Sequence, residues 1–256
     1  DIPVCFYLIR PAMYFRCVFL LLAVAVARSA FPQNIRRITH RDGLSNSSIL
    51  SLAQDADGYI WAGSCDGLNL WDGNSARNFR FSGNLIQEIV ATDDGYLWVR
   101  TNYGVDRFDT RDRRIEMLAG FQRVYKFAAR SRDEAFFLHG NKLYGYVASK
   151  GAFEPVDVRG AELTGVLRMC LDGDGALWLV RSGDIRCAQV AYDADGRASV
   201  GEWERMTMPD GVVFTRYDGD RTIFFTDRNG MLFRFDTEQR RAFPLSLIHI
   251  SEPTRL

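Results

Sequence analysis

Short apolar runs alternate with Asp-Gly turns along most of this chain. In the clearest segment, residues 59–62 (Tyr-Ile-Trp-Ala) follow one Asp-Gly pair, and residues 68–71 (Leu-Asn-Leu-Trp) follow a second pair. An Asp-Gly pair between apolar runs favours a β-hairpin, because tight hairpin turns need a positive φ that glycine adopts at little cost. No stretch between residues 31 and 243 has the periodicity of a long amphipathic helix. The pattern therefore predicts successive hairpins of short strands.

The hairpin pattern returns along the chain at a regular interval. Clear copies centre on Trp61, Trp98 and Trp178, and weaker copies centre on Phe137 and Phe224. The period is roughly 40 to 50 residues with about four short strands in each, which is typical of the blades of a β-propeller. We therefore predict an all-β fold, a β-propeller, with about five four-stranded blades over residues 31–243.

The large aromatic residues of the repeat are predicted to pack between blades. A single sheet cannot bury both faces, and stacking blades side by side lets the aromatic side chains fill the space between them. We prefer this packing role to a direct ligand role. The positions assigned to turns and blade packing are Asp57, Gly58, Trp61, Gly67, Trp71, Asp72, Asp94, Gly95, Trp98, Gly104, Phe108, Asp109, Asp174, Gly175 and Trp178.

Charge and motif content narrow the possible functions. The 256 residues contain 32 Lys and Arg and 32 Asp and Glu, so the formal net charge is +0. The sequence has no basic patch, which argues against a nucleic-acid partner. It also contains no Gly-x-Ser-x-Gly, His-Glu-x-x-His or phosphate-loop motif. We predict no catalytic residue, no metal and no cofactor, and we predict that this chain is not an enzyme.

Acidic strings and histidines in the chain invite a metal-binding interpretation. Asp-x-Asp-Gly strings begin at Asp55, Asp172 and Asp193. A calcium loop of the EF-hand type needs a third oxygen ligand before its glycine, whereas here glycine follows the second Asp at once. Turn formation explains these strings better. His40 and His139 have no acidic partner at a helpful spacing.

The N-terminal segment has the features of a secretory signal peptide. Arg16 precedes an apolar run over residues 17–27, and small residues follow at its end. The run is shorter than the roughly 20 residues that span a membrane. We expect cleavage after Ala27 or Ala30, with an uncleaved anchor as the alternative.

The predicted domains follow from these boundaries. Residues 1–30 are upstream sequence plus the signal peptide, and residues 31–243 form the propeller repeats. Residues 244–256 resemble translated sequencing-adapter sequence, so we interpret them as a non-native tail, with a genuine C-terminal tail as the alternative.

The cysteines leave one question open. Beyond the signal region lie Cys65, Cys170 and Cys187, an odd number without metal-type spacing. We favour three reduced side chains that fill space in strands. A disulfide between Cys170 and Cys187, with Cys65 free, is the alternative.

Residues 42–73 resemble the two-component regulator propeller repeat. They contain Gly-Leu-Ser-Asn at residues 43–46, an Asp-x-Asp-Gly turn, Trp61, and a Gly-Leu-x-x-aromatic-Asp ending at residues 67–72. The resemblance is strong over residues 38–109 and weaker beyond, where the third and fifth repeats lack the Trp. It implies the periplasmic sensor region of a bacterial signalling protein, in which the propeller usually has seven blades.

The resemblance also implies the rest of the protein and its function. An immunoglobulin-like domain, an inner-membrane helix and an output module, such as a histidine kinase or a cyclic-dinucleotide synthase, are expected downstream, and a homodimer of the full-length protein is left open. The partner is expected to be a small periplasmic ligand such as an oligosaccharide. We select Asn102, Tyr103, Arg181 and Arg228 as ligand-binding residues, because they lie near loops. An exported lyase or glycosidase, or a protein-interaction scaffold, is the alternative function.

Overall fold

The computed structural model describes residues 36–245 except 120, 122, 123, 125, 209, 210, 213 and 218–220. The predicted signal peptide and residues 246–256 lie outside the described residues. The chain divides into two units, residues 1–38 and 39–256. The second unit contains the repeats, and its last strand ends at Leu245, two residues beyond the predicted end of the propeller.

Apart from a 3₁₀ turn at His40–Asp42, the regular secondary structure of the described residues is entirely β-strand. The first three blades consist of β1 (Ile49–Gln54), β2 (Ile60–Ser64), β3 (Gly67–Trp71) and β4 (Ala76–Phe79); β5 (Ile86–Ala91), β6 (Tyr96–Thr101), β7 (Val105–Asp109) and β8 (Ile115–Ala119); and β9 (Lys126–Ser131), β10 (Glu134–His139), β11 (Lys142–Val147) and β12 (Ala152–Pro155). The remaining strands are β13 (Asp157–Val158), β14 (Val166–Leu171), β15 (Ala176–Arg181), β16 (Asp184–Tyr192), β17 (Ala198–Val200), β18 (Glu204–Thr207), β19 (Phe214–Tyr217), β20 (Thr222–Thr226), β21 (Leu232–Asp236) and β22 (Arg241–Leu245).

These strands form five sheets, and the four strands that build each blade are antiparallel and lie side by side in chain order. Blade 1 is β1–β4, blade 2 is β5–β8, blade 3 is β9–β12, blade 4 is built on β14–β16 and β18, and blade 5 is β19–β22. The prediction of an all-β propeller with five four-stranded blades is confirmed. A total of seven blades stays a prediction.

Blade 4 is larger than the sequence pattern indicates, because β16 is nine residues long. Its first half pairs with β18, and its second half pairs with β17. The connection from blade 3 then adds β13 in parallel with β17. The result is a six-stranded sheet rather than a four-stranded one.

The Asp-Gly turns take the backbone conformation that the sequence predicts. Gly58, Gly95 and Gly175 have φ values of 85°, 89° and 80°, in the left-handed region that other residues adopt only with strain. In the turn before β2, the Gly58 N–H donates to the Asp55 carbonyl at 3.0 Å. Each tight turn sends the chain directly back along the strand it has just completed.

Large aromatic residues fill the spaces between consecutive blades. Trp61 packs between blades 1 and 2, with its ring centroid 5.3 Å from that of Phe108. Trp98 lies between blades 2 and 3, 5.8 Å from Phe127. Trp178 lies between blades 4 and 5, 5.7 Å from Phe235. Each of these contacts joins residues that belong to different repeats.

In blade 3, the residue that occupies the position of the repeat Trp is Phe136 and not Phe137, which the sequence pattern selects. There Phe136 packs into the core shared with blade 4, as Trp98 packs toward blade 3. Phe137, the residue selected from the sequence, points to the opposite side and packs toward blade 2. Side chains alternate across a strand, so an alignment error of one residue exchanges the two faces.

The outward faces of the first and fifth blades carry apolar side chains. Ala53 of β1 packs toward blade 2, so its neighbour Leu52 faces the other way and is 52% exposed. In β20, Ile223 and Phe225 pack toward blade 4, and Phe224 between them faces outward and is partly exposed. Among the described residues, the four hydrophobic clusters lie between successive blades, and none of them joins blade 5 to blade 1.

Candidate ligand-binding site

The innermost strands of the five blades line a common axial space. They are β1, β5, β9, β14 and β19, the first strand of each blade. We call the end at which these strands begin the front face, and the end at which they finish the back face. The turns between the second and third strands lie at the front, and the described turns between the first and second strands lie at the back. Residues far apart in the chain therefore meet at each end of the axis.

A cavity of about 700 Å³ opens at the back of the axial space. Its inner wall is apolar and includes Phe127 and Met169. Its rim carries polar side chains from all five innermost strands or the turns that follow them: Gln54, Asp93, Arg130, Asp172 and Tyr217. An apolar pocket with a few convergent polar groups is the usual form of a small-ligand site.

Arg130 is held in place at this rim by two hydrogen bonds. Its Nε donates to Glu134 Oε2 at 2.6 Å, and its Nη1 donates to the Gly173 carbonyl of blade 4 at 2.8 Å. The Tyr192 hydroxyl donates to the other Glu134 oxygen at 2.7 Å, and burial together with this bond raises the pKa of Tyr192. The Arg130 side chain is still 41% exposed, so it can contact a ligand in the cavity.

The four residues selected from the sequence lie at the front face instead. Asn102 and Tyr103 form the β6–β7 turn, Arg181 ends β15, and Arg228 lies in the β20–β21 turn. They belong to blades 2, 4 and 5, and the described wall of the back cavity includes none of them. Their role in ligand binding stays a prediction.

Each of these four side chains contacts neighbours close to its own blade. Asn102 Oδ1 accepts a hydrogen bond from the Leu85 N–H at 3.3 Å, and Tyr103 is exposed. Arg181 donates to the Glu162 carbonyl at 3.3 Å. Arg228 lies over Gly211, where a Cβ atom would come within 2.7 Å of the arginine Cγ. The structure does not bring the four together into one site.

Two aspartates that sequence reasoning treated only as turn residues also anchor tryptophans. Asp55 Oδ2 accepts a hydrogen bond from Trp61 Nε1 at 2.6 Å, and Asp172 Oδ2 accepts one from Trp178 Nε1 at 2.7 Å. In blade 2 the equivalent position is a threonine, and Trp98 Nε1 donates instead to the Ser131 carbonyl of blade 3 at 2.8 Å. The sequence signal is an Asp six residues before a Trp.

A second pair of polar residues holds the segments that enter blades 1 and 2. Asn69 Oδ1 accepts a hydrogen bond from the Ser45 N–H at 2.8 Å. In the next blade, Asp106 Oδ2 accepts one from the Ser82 hydroxyl at 2.7 Å. Burial raises the pKa of Asp106, and the hydrogen bond from Ser82 partly offsets that effect. Asn69 is the third residue and Asp106 the second residue of the third strand in their blades, so both tie the entering segment to the front half of that strand.

Many of the remaining aspartate carboxylates accept hydrogen bonds from backbone N–H groups of the turns that they close. The N–H groups of Ser75 and Asn74 donate to Asp72 and lower the pKa of its carboxyl group. Asp109 has a lowered pKa as well: burial opposes the shift, but the N–H groups of Asp112 and Arg111 outweigh it. Carboxylates held ionised in this way are poor general acids near neutral pH.

The described cysteines and acidic residues form neither a metal site nor a disulfide. No group of three or more His, Cys, Asp or Glu residues in this part of the chain is placed to hold a metal ion. No disulfide joins the three described cysteines. In the strand register, Cys170 of β14 and Cys187 of β16 both lie opposite Trp178, one on each side of β15. They are thus two strands, about 10 Å, apart, which is too far for a disulfide.

Comparison with known proteins gives one family match, one curated relative and several solved structures with a similar fold. Residues 43–66 match the two component regulator propeller family, which confirms the resemblance found in the sequence. A histidine kinase P4 of Formosa agariphila is 37% identical over 62 residues, which are 24% of this chain and 4% of the kinase. This chain therefore spans only a small part of that curated relative.

Solved structures with a similar fold include two bacterial proteins. One is the extracellular domain of the hybrid two component system BT4673 from B. thetaiotaomicron, with 20% identity and a TM-score of 0.54 over 79% of this chain and 28% of that domain. The other is PorZ from Porphyromonas gingivalis, a surface component of the type-IX secretion system, with 14% identity and a TM-score of 0.62 over 85% of this chain and 30% of PorZ. At these identities the likeness shows the fold alone. Within the described residues, no helix has the length and apolar character needed to cross a membrane.

Proposed function

We propose that this chain is the extracytoplasmic sensor propeller of a bacterial two-component signalling protein, anchored through downstream domains in the inner membrane. The match of residues 43–66 to the regulator propeller family carries this proposal. The stretch of identity with a histidine kinase supports it, because that relative is a signalling protein. The signal-peptide pattern before the first blade supports export.

The ligand we propose is a small saccharide bound in the back cavity. Ligand sites commonly have volumes of about 300–1,000 Å³, and the back cavity lies within that range. Its rim supplies an amide at Gln54, a guanidinium at Arg130 and a phenol at Tyr217, which can exchange hydrogen bonds with sugar hydroxyls. The apolar wall suits the C–H faces of a sugar ring.

We propose further that this chain binds its ligand without converting it. Asp172, a carboxylate at the rim, already accepts hydrogen bonds from Trp178 and from the N–H groups of its own turn. A sensor needs only a ligand that binds one conformational state of the full-length protein more tightly than another. A glycosidase instead needs two carboxyl groups placed across the bond that breaks.

Calorimetry against a panel of neutral oligosaccharides tests the binding half of the proposal. We expect Q54A or D93A to weaken binding of the best saccharide by roughly tenfold, about 1.4 kcal/mol, because each removes a polar group from the rim. D57A is the control, since Asp57 is exposed in the same Asp-Gly turn region but does not line the cavity. Equal affinities in all four proteins would contradict a site in the back cavity.

Product analysis of the same mixtures tests the proposal that the chain does not convert its ligand. We expect every oligosaccharide to be recovered intact after prolonged incubation. Cleavage that a single Asp or Glu substitution between residues 36 and 245 abolishes would favour the exported lyase or glycosidase instead.

A further inference from the structure

The front of the axial space contains a group of four charged side chains, of which only Arg168 also lines the saccharide cavity. A smaller cavity of about 180 Å³ lies there, between the starts of β5, β9 and β14 and the end of β6. Four charged residues line it, namely Glu88, Arg100, Lys126 and Arg168. They come from blades 2, 3 and 4, and we call them the front cluster.

The front cluster has one carboxylate for three cations. Glu88, with its side chain only 8% exposed, lies 3.1 Å from Arg100 Nε and 2.6 Å from Arg168 Nη1. The Arg100 Nη1 also donates to the Val124 carbonyl at 3.0 Å and to the side chain of Gln87. Arg100 is therefore bound to protein acceptors through both Nε and Nη1. The formal charge of the cluster is +2, with no second carboxylate among the described residues that line the cavity.

Two donors of the cluster have no protein acceptor. Within the described residues, the Lys126 ammonium makes no hydrogen bond, and the Arg168 Nε is buried without a partner. The Arg168 contact with Glu88 is close, but its angle does not meet hydrogen-bond geometry. Burial lowers the pKa of Lys126, and the charges of Arg100 and Arg168 lower it further while Glu88 opposes them. The unliganded cluster is thus electrostatically unfavourable.

Uncompensated cations at a confined site are costly unless an anion accompanies them. An oxyanion offers several acceptor oxygens, which is what the free donors of Lys126 and Arg168 require. A water molecule takes about 30 Å³ of liquid volume, so the cavity has room for one small anion with a few waters and excludes a nucleotide. Thr215 on β19 adds a hydroxyl at the same cavity.

We propose that the front cluster binds one small oxyanion, such as a carboxylate, sulfate or phosphate group. Lys126 and Arg168 bind the anion directly, and Glu88 positions the two arginines. The proposal concerns the opposite end of the axis from the saccharide cavity and does not depend on saccharide binding there.

The test uses sodium sulfate, phosphate, acetate and glucuronate, each compared with sodium chloride at equal ionic strength. Thermal unfolding and calorimetry of the wild-type chain are expected to show saturable stabilisation by at least one oxyanion above the chloride control. Glucuronate compared with glucose tells whether the carboxylate of an acidic sugar is the source of the anionic group. Sulfate, phosphate and acetate test the free anions.

K126M is the decisive variant, because it keeps the aliphatic stem and removes the free ammonium. We expect it to weaken oxyanion binding at least tenfold. Because it also removes an unfavourable charge, we expect it to fold at least as well as wild type. K142M is the matched control in the same blade, since Lys142 is exposed and lies outside the front cavity.

R168Q provides a second measurement and should also lose the oxyanion response. The proposal is overturned if no oxyanion stabilises the protein beyond chloride, or if K126M binds the anion as tightly as wild type and K142M. Saccharide titrations of K126M separate the two proposals: unchanged saccharide affinity with lost oxyanion affinity shows that the sites are independent.

Discussion

The hydrogen bond between Asp172 and Trp178 should contribute measurably to stability, and the chain contains a matched turn that isolates it. Asp172 Oδ1 accepts from the N–H groups of Asp174 and Ala176 at 3.1 and 2.9 Å, and Oδ2 accepts from Trp178 Nε1 at 2.7 Å. Asp193 closes the same kind of turn and accepts from the corresponding N–H groups at 2.9 and 2.8 Å. Asp193 has no tryptophan partner.

The magnitude follows from what each substitution leaves behind. D193A removes turn hydrogen bonds at an exposed site, where water replaces them, so we expect a loss of about 1 kcal/mol. D172A also leaves the Trp178 N–H, on a side chain only 2% exposed, without an acceptor. An unsatisfied buried donor costs about 1–3 kcal/mol, so the total loss for D172A should be about 2–4 kcal/mol.

Urea denaturation measures both losses as changes in the free energy of unfolding. W178F removes the donor, so D172A in a W178F background should cost no more than D193A does. The coupling between Asp172 and Trp178 in this double-mutant cycle should be about 1–3 kcal/mol, the D172A loss in wild type minus the loss in the W178F background. Equal losses for D172A and D193A in the wild-type background would refute the reasoning.

Three further predictions follow from charge, exposure and burial. The pKa of Lys126 is lower in the folded chain than in the unfolded chain, so the unfolded state binds more protons near that pKa. The free energy of unfolding of wild type should therefore rise relative to that of K126M as pH rises toward 10.5. The same pH dependence of stability in both proteins would contradict this. The apolar outward faces at Leu52 and Phe224 should cause self-association, which sedimentation would show decreasing in L52E; a monodisperse wild-type chain would count against it. In thiol titration, exposed Cys65 should react in the native state, whereas Cys187, whose pKa burial raises, should react only after unfolding; equal rates would be inconsistent with the packing of blade 4.

The candidate sites illustrate how far sequence reasoning reaches. The four loop residues chosen from the sequence do lie at one face, because the turns between second and third strands all lie at the same end of a propeller. They lie on separate blades, however, and the back cavity uses others, such as Gln54 and Tyr217. Nothing in the local pattern around those two residues distinguishes them from ordinary strand-end positions.

The sequence alone determined the five blades and their order, though not the added strands β13 and β17 of blade 4, because hairpins depend on neighbouring residues. Asp-Gly turns, alternating apolar runs and the Trp period predicted five blades, and these are local features. The tertiary structure decided what meets across blades, including which of Phe136 and Phe137 faces blade 4 and how Glu88 comes to contact Arg168. Such contacts join residues one or more repeats apart, and their register depends on how whole sheets pack. A pattern confined to one repeat carries no information about that packing.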